Sequence, residues 1–372
     1  MKPEIETIIC RLKAFRQSRG LSQTQLAERV EVKRQAIYDM ESGKYVPNTA
    51  LALRLARQLG CKVEELFYEK LSDVQHPVTV IESFDQENTR VEVANVRGRL
   101  VGYPLAGKRA FSNGFRPADG LLKADGNMVQ LLIPEESLEQ SIVLMGCDPA
   151  FSILSAHVLR HSPDVRMHCR FASSYNALRG LAAGHAHIAG THLHNTHSGE
   201  ANVTLARSLL GETKAKVIAF SLMEEGLMVA PGNPHGIRDV RDLAEGKVRL
   251  INREEGAALR TLLDDYLDRY GIPHATVTGY ENRVRSHLEG AQMVAFNCAD
   301  VALGLRAVAG ACGLDFVPLK VVRCDLVVPG DMMELPSMRI LLDTLQSGKL
   351  RQELKAVPGY ESSQTGSVIA EL

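Results

Sequence analysis

The sequence predicts a multi-domain protein with an all-α head, a small β-rich connector and a large α/β domain. Apolar residues recur at helical spacing up to about residue 70. They then alternate with polar residues in short segments up to about residue 134, which is typical of strands. Beyond residue 140 strand-like and helix-like segments follow one another repeatedly, which indicates an α/β fold. We therefore predict domains at 1–70, 71–139 and 140–372.

The head contains the stretch LSQTQLAERVEVKRQAIYDMESG, Leu21–Gly43, which predicts two short helices joined by a tight turn. Ser22 and Gln25 form an S-x-x-Q capping box that starts the first helix. The second helix is predicted from about Lys33 to Glu41. Its outward-facing residues are Arg34, Gln35, Tyr38 and Asp39. Such a pair of helices, with Arg and Gln near the start of the second, suits the major groove of DNA.

Residues from about 8 to 67 resemble the lambda-repressor/Cro-like helix-turn-helix of the xenobiotic-response-element family. The resemblance rests on LKAFRQSRGLSQTQLAERVEV, on RQAIYDMESGKYVPNTALALRLARQLGCKVEELF and on the spacing between them. It implies contacts of two kinds with double-stranded DNA. Gln23 and Lys44 would touch the backbone, and Arg34, Gln35 and Tyr38 would face base edges. The alternative is a helical bundle used only for protein contacts.

Lys33 departs from that family pattern, because it stands where such helices usually carry a Ser or Thr cap. A lysine does not accept the backbone N–H bond, but it has the length and charge to reach a phosphate. Residues 1–70 hold 13 Lys and Arg against 9 Asp and Glu, while the whole chain has a net charge of −1. Phosphate binding needs only local positive potential. Since this surplus is small, we expect a homodimer or higher homo-oligomer.

Composition places the chain among globular proteins that lie outside membranes. Hydrophobic residues make up 45% and charged residues 23% of it, and it has no run of eighteen apolar residues. Its first fifteen residues lack the core of a signal peptide, so we expect a cytoplasmic protein. The odd number of cysteines, seven, and the absence of a C-x-x-C pair favour reduced thiols.

The large domain alternates between candidate strands and candidate helices. The strand segments are SIVLMG, VRMHCRFA, AHIAGTH, AKVIAFSL, GLMVAP, VRLIN, ATVTGY, MVAFN, DFVPL and VVRCDLVVP. The helical segments are PAFSILSAHVLRH, SYNALRGLAAG, IRDVRDLAEG, AALRTLLDDYLDRYG, VRSHLEG and ADVALGLRAVAGACG. This pattern favours largely parallel sheets, which bind ligands at the carboxyl ends of their strands.

Residues 140–367 resemble the periplasmic-binding-protein-like domain that is often joined to helix-turn-helix heads in bacteria. The resemblance rests on ALRGLAAGHAHIAGTHLHN, EEGLMVAPGNPHGIRDVRDL, VRLINREEGAALRTLLD, CADVALGLRAVAGACGLDFVPL, CDLVVP and GYESSQTG. It implies two α/β lobes joined by crossing strands, with a small ligand in the cleft. Without a signal peptide, such a domain would be a cytoplasmic sensor of a small-molecule effector.

Candidate ligand-binding residues follow predicted strands or open predicted helices, where free N–H groups suit an anion. They are Cys147, Asp148, Ser173, Ser174, Tyr175, His192, Asn195, Asn252 and Arg260. Relatives often have Gly-Ser-Gly-Thr-Arg at the start of the long helix, whereas this chain has Gly256 to Arg260 as GAALR. The lost hydroxyls favour an effector that is partly apolar or anionic at one end. Helix capping alone is the alternative role of the serines.

Histidines cluster in GHAHIAGTHLHNTH, which leaves a second hypothesis open. They are His185, His187, His192, His194 and His197. Pairs that alternate along a strand present two imidazoles on one face, so a metal-, haem- or redox-sensing regulator is the alternative, with Cys147 completing the site. The spacing does not match a closed zinc site, and our first hypothesis includes no cofactor. Common catalytic motifs are absent, so we do not expect an enzyme.

Overall fold

The computed structural model describes most of the chain and divides it into two compact units. The described residues are 8–69, 74–81, 89–106, 116–123, 126–195, 200–244 and 246–372. The first unit comprises residues 1–76 with 130–134, and the second comprises 77–129 with 135–372. Among the described residues, no helix is both long enough and apolar enough to cross a membrane.

The first unit is a bundle of short helices with a two-stranded ribbon. The helices are α1 (Leu12–Ser18), α2 (Gln23–Arg29), α3 (Arg34–Glu41), α4 (Thr49–Leu59) and α5 (Val63–Leu66). The strands β1 (Ile8–Cys10) and β2 (Phe67–Glu69) pair antiparallel. The predicted capping box is confirmed, since Ser22 Oγ accepts from the Gln25 N–H and Gln25 Oε1 accepts from the Ser22 N–H. Leu26, Ile37 and Met40 are fully buried and hold α2 against α3.

Short strands follow, as the alternating pattern predicts. They are β3 (Gln75–Pro77), β4 (Thr79–Val80), β5 (Arg90–Val96), β6 (Arg99–Pro104), β7 (Gly120–Leu122) and β8 (Met128–Leu131). β5 pairs antiparallel with both β6 and β7, and β4 runs parallel to β6. Val91, Val93 and Tyr103 are buried in this small sheet.

The α/β part of the second unit contains one large sheet and the helices that cover it. Its strands are β9 (Ser141–Gly146), β10 (Arg166–Phe171), β11 (Ile188–Thr191), β12 (Ala215–Val229), β13 (Leu250–Arg253), β14 (Arg283–Val284), β15 (Val301–Leu305), β16 (Asp315–Pro329), β17 (Tyr360–Glu361) and β18 (Val368–Glu371). Its helices are α6 (Phe151–His161), α7 (Ser174–Ala182), α8 (Ala201–Leu210), α9 (Ala258–Arg269), α10 (His287–Ala295), α11 (Arg306–Ala311), α12 (Pro336–Leu345) and α13 (Gly348–Ala356).

Two long strands join the two lobes of this domain. The strand order is β10-β9-β11-β16-β12-β15-β13-β14, so β16 and β12 lie at the centre. They pair antiparallel from Ala215 opposite Pro329 to Val229 opposite Asp315, with a bulge between Glu225 and Gly226. A Cβ at Gly226 would lie 2.1 Å from the Val317 carbonyl oxygen, so the close approach of the strands requires glycine there. The predicted two-lobed α/β domain with crossing strands is confirmed.

Several details of the predicted pattern are wrong. ATVTGY contains only a 3-10 turn, His274–Thr276, and MVAFN continues helix α10. A short apolar run such as MVAFN does not by itself distinguish a strand from a buried helix. Here the segment is helical because Ser286 caps the start of α10, where its Oγ accepts from the Glu289 N–H. VALGL, placed in a helix, is strand β15. The sheet is also mixed: β9 runs parallel to β10 and β11, whereas β11 and β15 run antiparallel to their crossing-strand neighbours.

Candidate functional site

The first unit presents a polar face on α3. Arg34, Gln35 and Tyr38 are exposed, whereas Ile37 and Met40 are buried on the opposite side. The Gln35 amide donates to Asp39 Oδ1 at 2.9 Å, which orients the side chain along the helix. Arginine and glutamine side chains on such a face match the edges of guanine and adenine in a major groove.

Residues around α3 provide further donors and positive charge. Lys33 is exposed at the N-cap of α3 and makes no side-chain cap, as the sequence indicates. Lys44 is exposed, and its Nζ lies 5.8 Å from the centre of the Tyr38 ring. Gln23 donates to Glu41 Oε2 at 2.8 Å, and Glu41 also binds Arg16 at 2.6 Å. This internal network fixes the start of α2 against the end of α3.

The second unit contains a small cavity to which both lobes contribute. The first lobe supplies Cys147, Phe171, Ser173, Ser174 and His192. The second lobe supplies Arg253, Glu254, Ala257, Ala258, Leu259 and His287. The cavity volume of about 10 Å³ has room for the centre of about one water molecule. In this closed arrangement, only a small ligand or a small part of a ligand fits between the lobes.

A thiol, an imidazole and a carboxylate follow one another along the wall that the first lobe and β12 form. Cys147 Sγ lies 3.2 Å from His192 Nδ1. His192 Nε2 lies 3.4 Å from Glu225 Oε1, and Glu225 Oε2 is bonded to His194 Nε2. Burial raises the pKa of Cys147 to about 12 and lowers the pKa of His192. At neutral pH the pair is therefore a thiol beside an uncharged imidazole.

The wall from the second lobe carries a buried positive charge. Arg253 is only 3% exposed. It contacts His287 Nδ1 at 3.0 Å and donates to the Arg285 carbonyl oxygen at 3.0 Å. Its Nε has no hydrogen-bond partner among the described residues, and neither does His287 Nε2. Burial lowers the pKa of Arg253, and burial together with the Arg253 charge holds the pKa of His287 well below its usual range.

Helix starts from both lobes also border the cavity. α9 begins after Ala257, which provides no side-chain cap, and the Ala258 and Leu259 N–H groups have no acceptor among the described residues. In the first lobe Ser173 caps α7, and Ser174 Oγ accepts from the His192 N–H at 3.0 Å. Both serines thus act as helix or loop acceptors, and neither hydroxyl donates to another described residue. Backbone and hydroxyl donors of this kind suit an anion.

Four of the nine residues predicted to bind ligand line the cavity, and five do not. The four are Cys147, Ser173, Ser174 and His192. Asp148 instead accepts from Tyr360 at 2.6 Å and from Ser221 at 3.1 Å, in a buried network at the start of α6. Asn252 donates to the Tyr280 carbonyl oxygen. Tyr175 and Asn195 are exposed, and Asn195 accepts from the Ala201 N–H.

Arg260, the predicted anion-binding residue of the second lobe, is engaged elsewhere. Its Nε donates to Asp264 at 3.2 Å, and its guanidinium lies 3.9 Å from the centre of the Tyr280 ring. Arg253 lines the cavity and Arg260 does not. The sequence contained a signal for Arg253, which is the last residue of strand β13, because ligands bind at the carboxyl ends of strands.

The predicted histidine cluster is dispersed over different surroundings. His187 is buried between two sheets, where its Nδ1 accepts from the Val143 N–H and its Nε2 donates to the Asn95 carbonyl oxygen. His185 is half-buried, and its pKa is lowered by burial and by Arg99. Of the four described members of the cluster, His192 alone lines the cavity. His197 lies outside the described residues. Within the described part of the chain, no group of three His, Cys, Asp or Glu side chains is placed to hold a metal ion.

The fold and the two sites define the class of protein: a helix-turn-helix head joined to a two-lobed ligand-binding fold. Residues 12–66 match the helix-turn-helix family, and residues 155–346 match the PBP superfamily domain. The chain belongs to the PBP superfamily domain family, with a helix-turn-helix DNA-binding domain at its N-terminal end.

Individual relatives resemble different parts of the chain. YvgK, an uncharacterized protein of Bacillus subtilis, is 30% identical over 231 residues, which are 62% of this chain and 74% of YvgK. An uncharacterized HTH-type transcriptional regulator of Methanothermobacter thermautotrophicus is 46% identical over 57 residues, 15% of this chain and 83% of that protein. The sulfate-binding protein SubI from Mycobacterium tuberculosis superposes with a TM-score of 0.46 at 18% identity, over 59% of this chain and 86% of SubI.

Proposed function

We propose that the chain is a ligand-responsive transcriptional regulator that acts in the cytoplasm. Its α3 helix reads an operator in double-stranded DNA, and its two-lobed domain binds a small organic anion. The relative from Methanothermobacter thermautotrophicus is named as an HTH-type transcriptional regulator, which supports the DNA-binding part. The proposal assigns the chain no enzymatic reaction.

One observation carries the ligand-binding part of the proposal. Arg253 is buried in the wall of the cavity, and its Nε has no hydrogen-bond partner among the described residues. A buried charge without a full set of partners is costly, and an anionic ligand would supply the missing acceptor. A carboxylate is the natural match, because its two oxygens fit the planar fork of the guanidinium.

The other lining residues narrow the class of effector. Phe171, Ala257, Ala258 and Leu259 add apolar surface beside the hydroxyls of the serines. An inorganic oxyanion would leave that apolar surface without a contact, whereas a small carboxylate with a short carbon chain would cover it. The half-buried Glu254 also repels a ligand that carries negative charge at both ends.

The same arrangement explains how binding would change the protein. Arg253 belongs to the second lobe, and His192 and Ser174 belong to the first, so a ligand in the cavity touches both lobes. A ligand shifts an equilibrium only by its difference in affinity between two states. A small carboxylate meets all these donors only when the lobes are closed, and it would therefore favour the closed state.

A paired experiment tests the two halves of the proposal. A fragment of DNA from upstream of the gene is titrated with the full chain in a mobility-shift assay, without ligand and with a panel of small monocarboxylates. We expect a sequence-specific complex whose apparent affinity changes with at least one carboxylate. Absence of any specific complex would refute the DNA-binding half, and a complex that responds to none of the carboxylates would refute the ligand-binding half.

A further inference from the structure

The cavity contains a nucleophile beside a base. Cys147 Sγ lies 3.2 Å from His192 Nδ1, and His192 Nε2 lies 3.4 Å from Glu225 Oε1. Glu225 is fully buried on crossing strand β12, where His194 also holds it. A nucleophile next to an imidazole, with a carboxylate behind that imidazole, is the arrangement that activates thiols and hydroxyls in covalent chemistry.

The surroundings of Cys147 restrict what this thiol attacks. It is 8% exposed, and burial raises its pKa to about 12, so very little thiolate is present at neutral pH. Oxidants and alkylating agents in solution react with exposed thiolates, and Cys147 offers them neither exposure nor charge. An electrophile held in the cavity can still react with this thiol, because it is already positioned beside the sulfur. Uncharged His192 then accepts the thiol proton during the attack.

A second observation indicates which electrophile the cavity holds. Arg253 and His287 line the same cavity, and Arg253 Nε and His287 Nε2 are buried without a hydrogen-bond partner among the described residues. The Arg253 charge is near enough to Cys147 to oppose the rise that burial causes in the pKa of the thiol. A carboxylate bound to Arg253 therefore lies beside the thiol. The cavity as it stands has room for about one water molecule, so the lobes must part slightly to admit the ligand, and only a carbon next to the carboxylate would then lie close to the thiol.

We propose that Cys147 captures a small 2-oxo acid as a reversible covalent adduct, an inference that rests on the proposed binding of a carboxylate at Arg253. The sulfur attacks the carbonyl carbon and forms an S–C bond, while the carbonyl π bond breaks and its electron pair moves to the oxygen. The thiol proton passes to His192 and then to that oxygen. The product is a hemithioketal, or a hemithioacetal from an aldehyde acid, and the step has no leaving group and needs no oxidant.

The remaining lining groups suit this reaction. The N–H groups of Ala258 and Leu259, which have no acceptor in the described part of the chain, and the hydroxyls of Ser173 and Ser174 are donors for the oxygen on which charge develops. The addition reverses when the oxygen loses its proton and the S–C bond breaks. A sensor needs this reversibility, because it must release its effector when the concentration of the effector falls.

The test uses the full chain and the probes glyoxylate, pyruvate and 2-oxobutyrate, each ¹³C-labelled at the carbonyl carbon. We expect the carbonyl resonance of at least one bound probe to move into the range of a saturated carbon bearing sulfur and oxygen. Cys147→Ala should abolish that resonance. Lactate, which keeps the carboxylate of pyruvate but lacks the electrophilic carbon, is the matched control ligand.

Calorimetry completes the experiment and separates this inference from the proposed function. The wild-type chain should bind pyruvate more tightly than lactate, and Cys147→Ala should bind both with equal affinity. A bound 2-oxo acid that keeps its carbonyl resonance would overturn the inference while preserving carboxylate binding. Failure of all three probes to bind would also overturn it, whereas a response to another carboxylate would leave the proposed function intact. Thermal unfolding of Cys147→Ser, in which one atom is changed, checks that the fold is retained when the thiol is replaced.

Discussion

A single histidine illustrates how burial and hydrogen bonding fix a charge state. His187 is 1% exposed and joins the small sheet to the large one, accepting from the Val143 N–H and donating to the Asn95 carbonyl oxygen. Both ring nitrogens are satisfied only when the ring is uncharged. Burial accordingly lowers its pKa from 6.5 to about 4.

The stability of the protein should therefore fall on acidification. Below pH 6.5 the unfolded chain binds a proton at His187 that the folded chain refuses until about pH 4, so stability is lost as pH falls through this window. The loss due to this residue is roughly 3 kcal/mol. Denaturant unfolding between pH 7 and pH 4 measures it. His187→Gln should show a shallower loss than wild type. Equal slopes in wild type and His187→Gln would contradict the assignment.

Two arginines of the second lobe differ in whether their guanidinium N–H groups have hydrogen-bond partners. Arg260 is bound to Asp264 and stacked on Tyr280, whereas Arg253 retains an unpartnered Nε in the cavity wall. The sequence contains both arginines, and the family pattern predicts that Arg260 binds the ligand. Their roles depend on strand register and on the neighbour that each side chain meets, and both are set by the three-dimensional fold.

Substitution of these arginines should give opposite results. Arg253→Gln removes charge-assisted bonds of about 1.5–3 kcal/mol, so it should weaken binding of pyruvate and lactate roughly tenfold or more. Arg260→Gln should leave both dissociation constants unchanged, although it breaks the contact with Asp264. Calorimetry on the two variants makes the comparison. A large loss in Arg260→Gln with none in Arg253→Gln would mean that the ligand lies elsewhere.

At the scale of elements, α3 begins without a side-chain cap, unlike its neighbours α2 and α4. Lys33 occupies the N-cap position with an extended backbone and no side-chain bond to the helix. Helix α5 also has an exposed lysine, Lys62, at its N-cap position, although there the Glu65 carboxylate accepts from the Lys62 N–H at 2.7 Å. An uncapped helix start costs stability, and a lysine at the start of a DNA-reading helix would recover part of that cost only when DNA is bound.

Lys33→Ser should therefore stabilise the fold and weaken DNA binding. A serine cap adds about 0.5–2 kcal/mol to the free energy of unfolding. Loss of one phosphate contact should reduce the slope of log affinity against log salt by about 0.9. Lys62→Ser, the matched control, should give a similar gain in stability with the salt slope unchanged. If Lys33→Ser keeps the wild-type salt slope, Lys33 does not contact a phosphate.

The exposed face of α3 should provide the sequence specificity. Arg34→Ala with Gln35→Ala removes two side chains that can each discriminate bases by about 1–3 kcal/mol, so specific binding to the upstream DNA fragment should be lost. Helix α4 has a second exposed Arg-Gln pair, Arg57 and Gln58, and its double alanine variant is the control. Mobility shifts with specific and scrambled DNA compare the two. Retained specificity in the α3 variant would assign base reading to another element.

The whole molecule shows what sequence patterns predict well and where they are limited. Helices with clear periodicity, such as α9 and the capped helix α2, lie within about two residues of their predicted bounds. The sequence pattern predicts each of the two crossing strands as two separate strands, because charged residues interrupt the apolar runs at Glu224, Glu225 and Lys320. Glu225 is in fact fully buried, and His194 from the loop after β11 binds it. A carboxylate whose partner is distant in the chain leaves no local signal in the sequence.

The intact protein should bind DNA as a dimer or larger oligomer. One head with a small basic surplus makes few phosphate contacts, so two heads on half-sites one helical turn apart are expected. Light scattering on the free protein and on its complex with the upstream fragment gives the stoichiometry. A monomer in both samples would exclude this arrangement. A single head would then have to bind a single half-site alone.

The central position of β16 has a consequence for the order in which the chain matures during synthesis. This strand lies between β11 and β12 in the sheet, yet the ribosome makes it only after residues 230–314. The first lobe therefore remains without its middle strand until Asp315–Pro329 has been made. Helices α1 to α5 are made much earlier and are able to fold first, because domains fold as they emerge. A nascent chain would thus be able to bind DNA well before it is able to bind an effector.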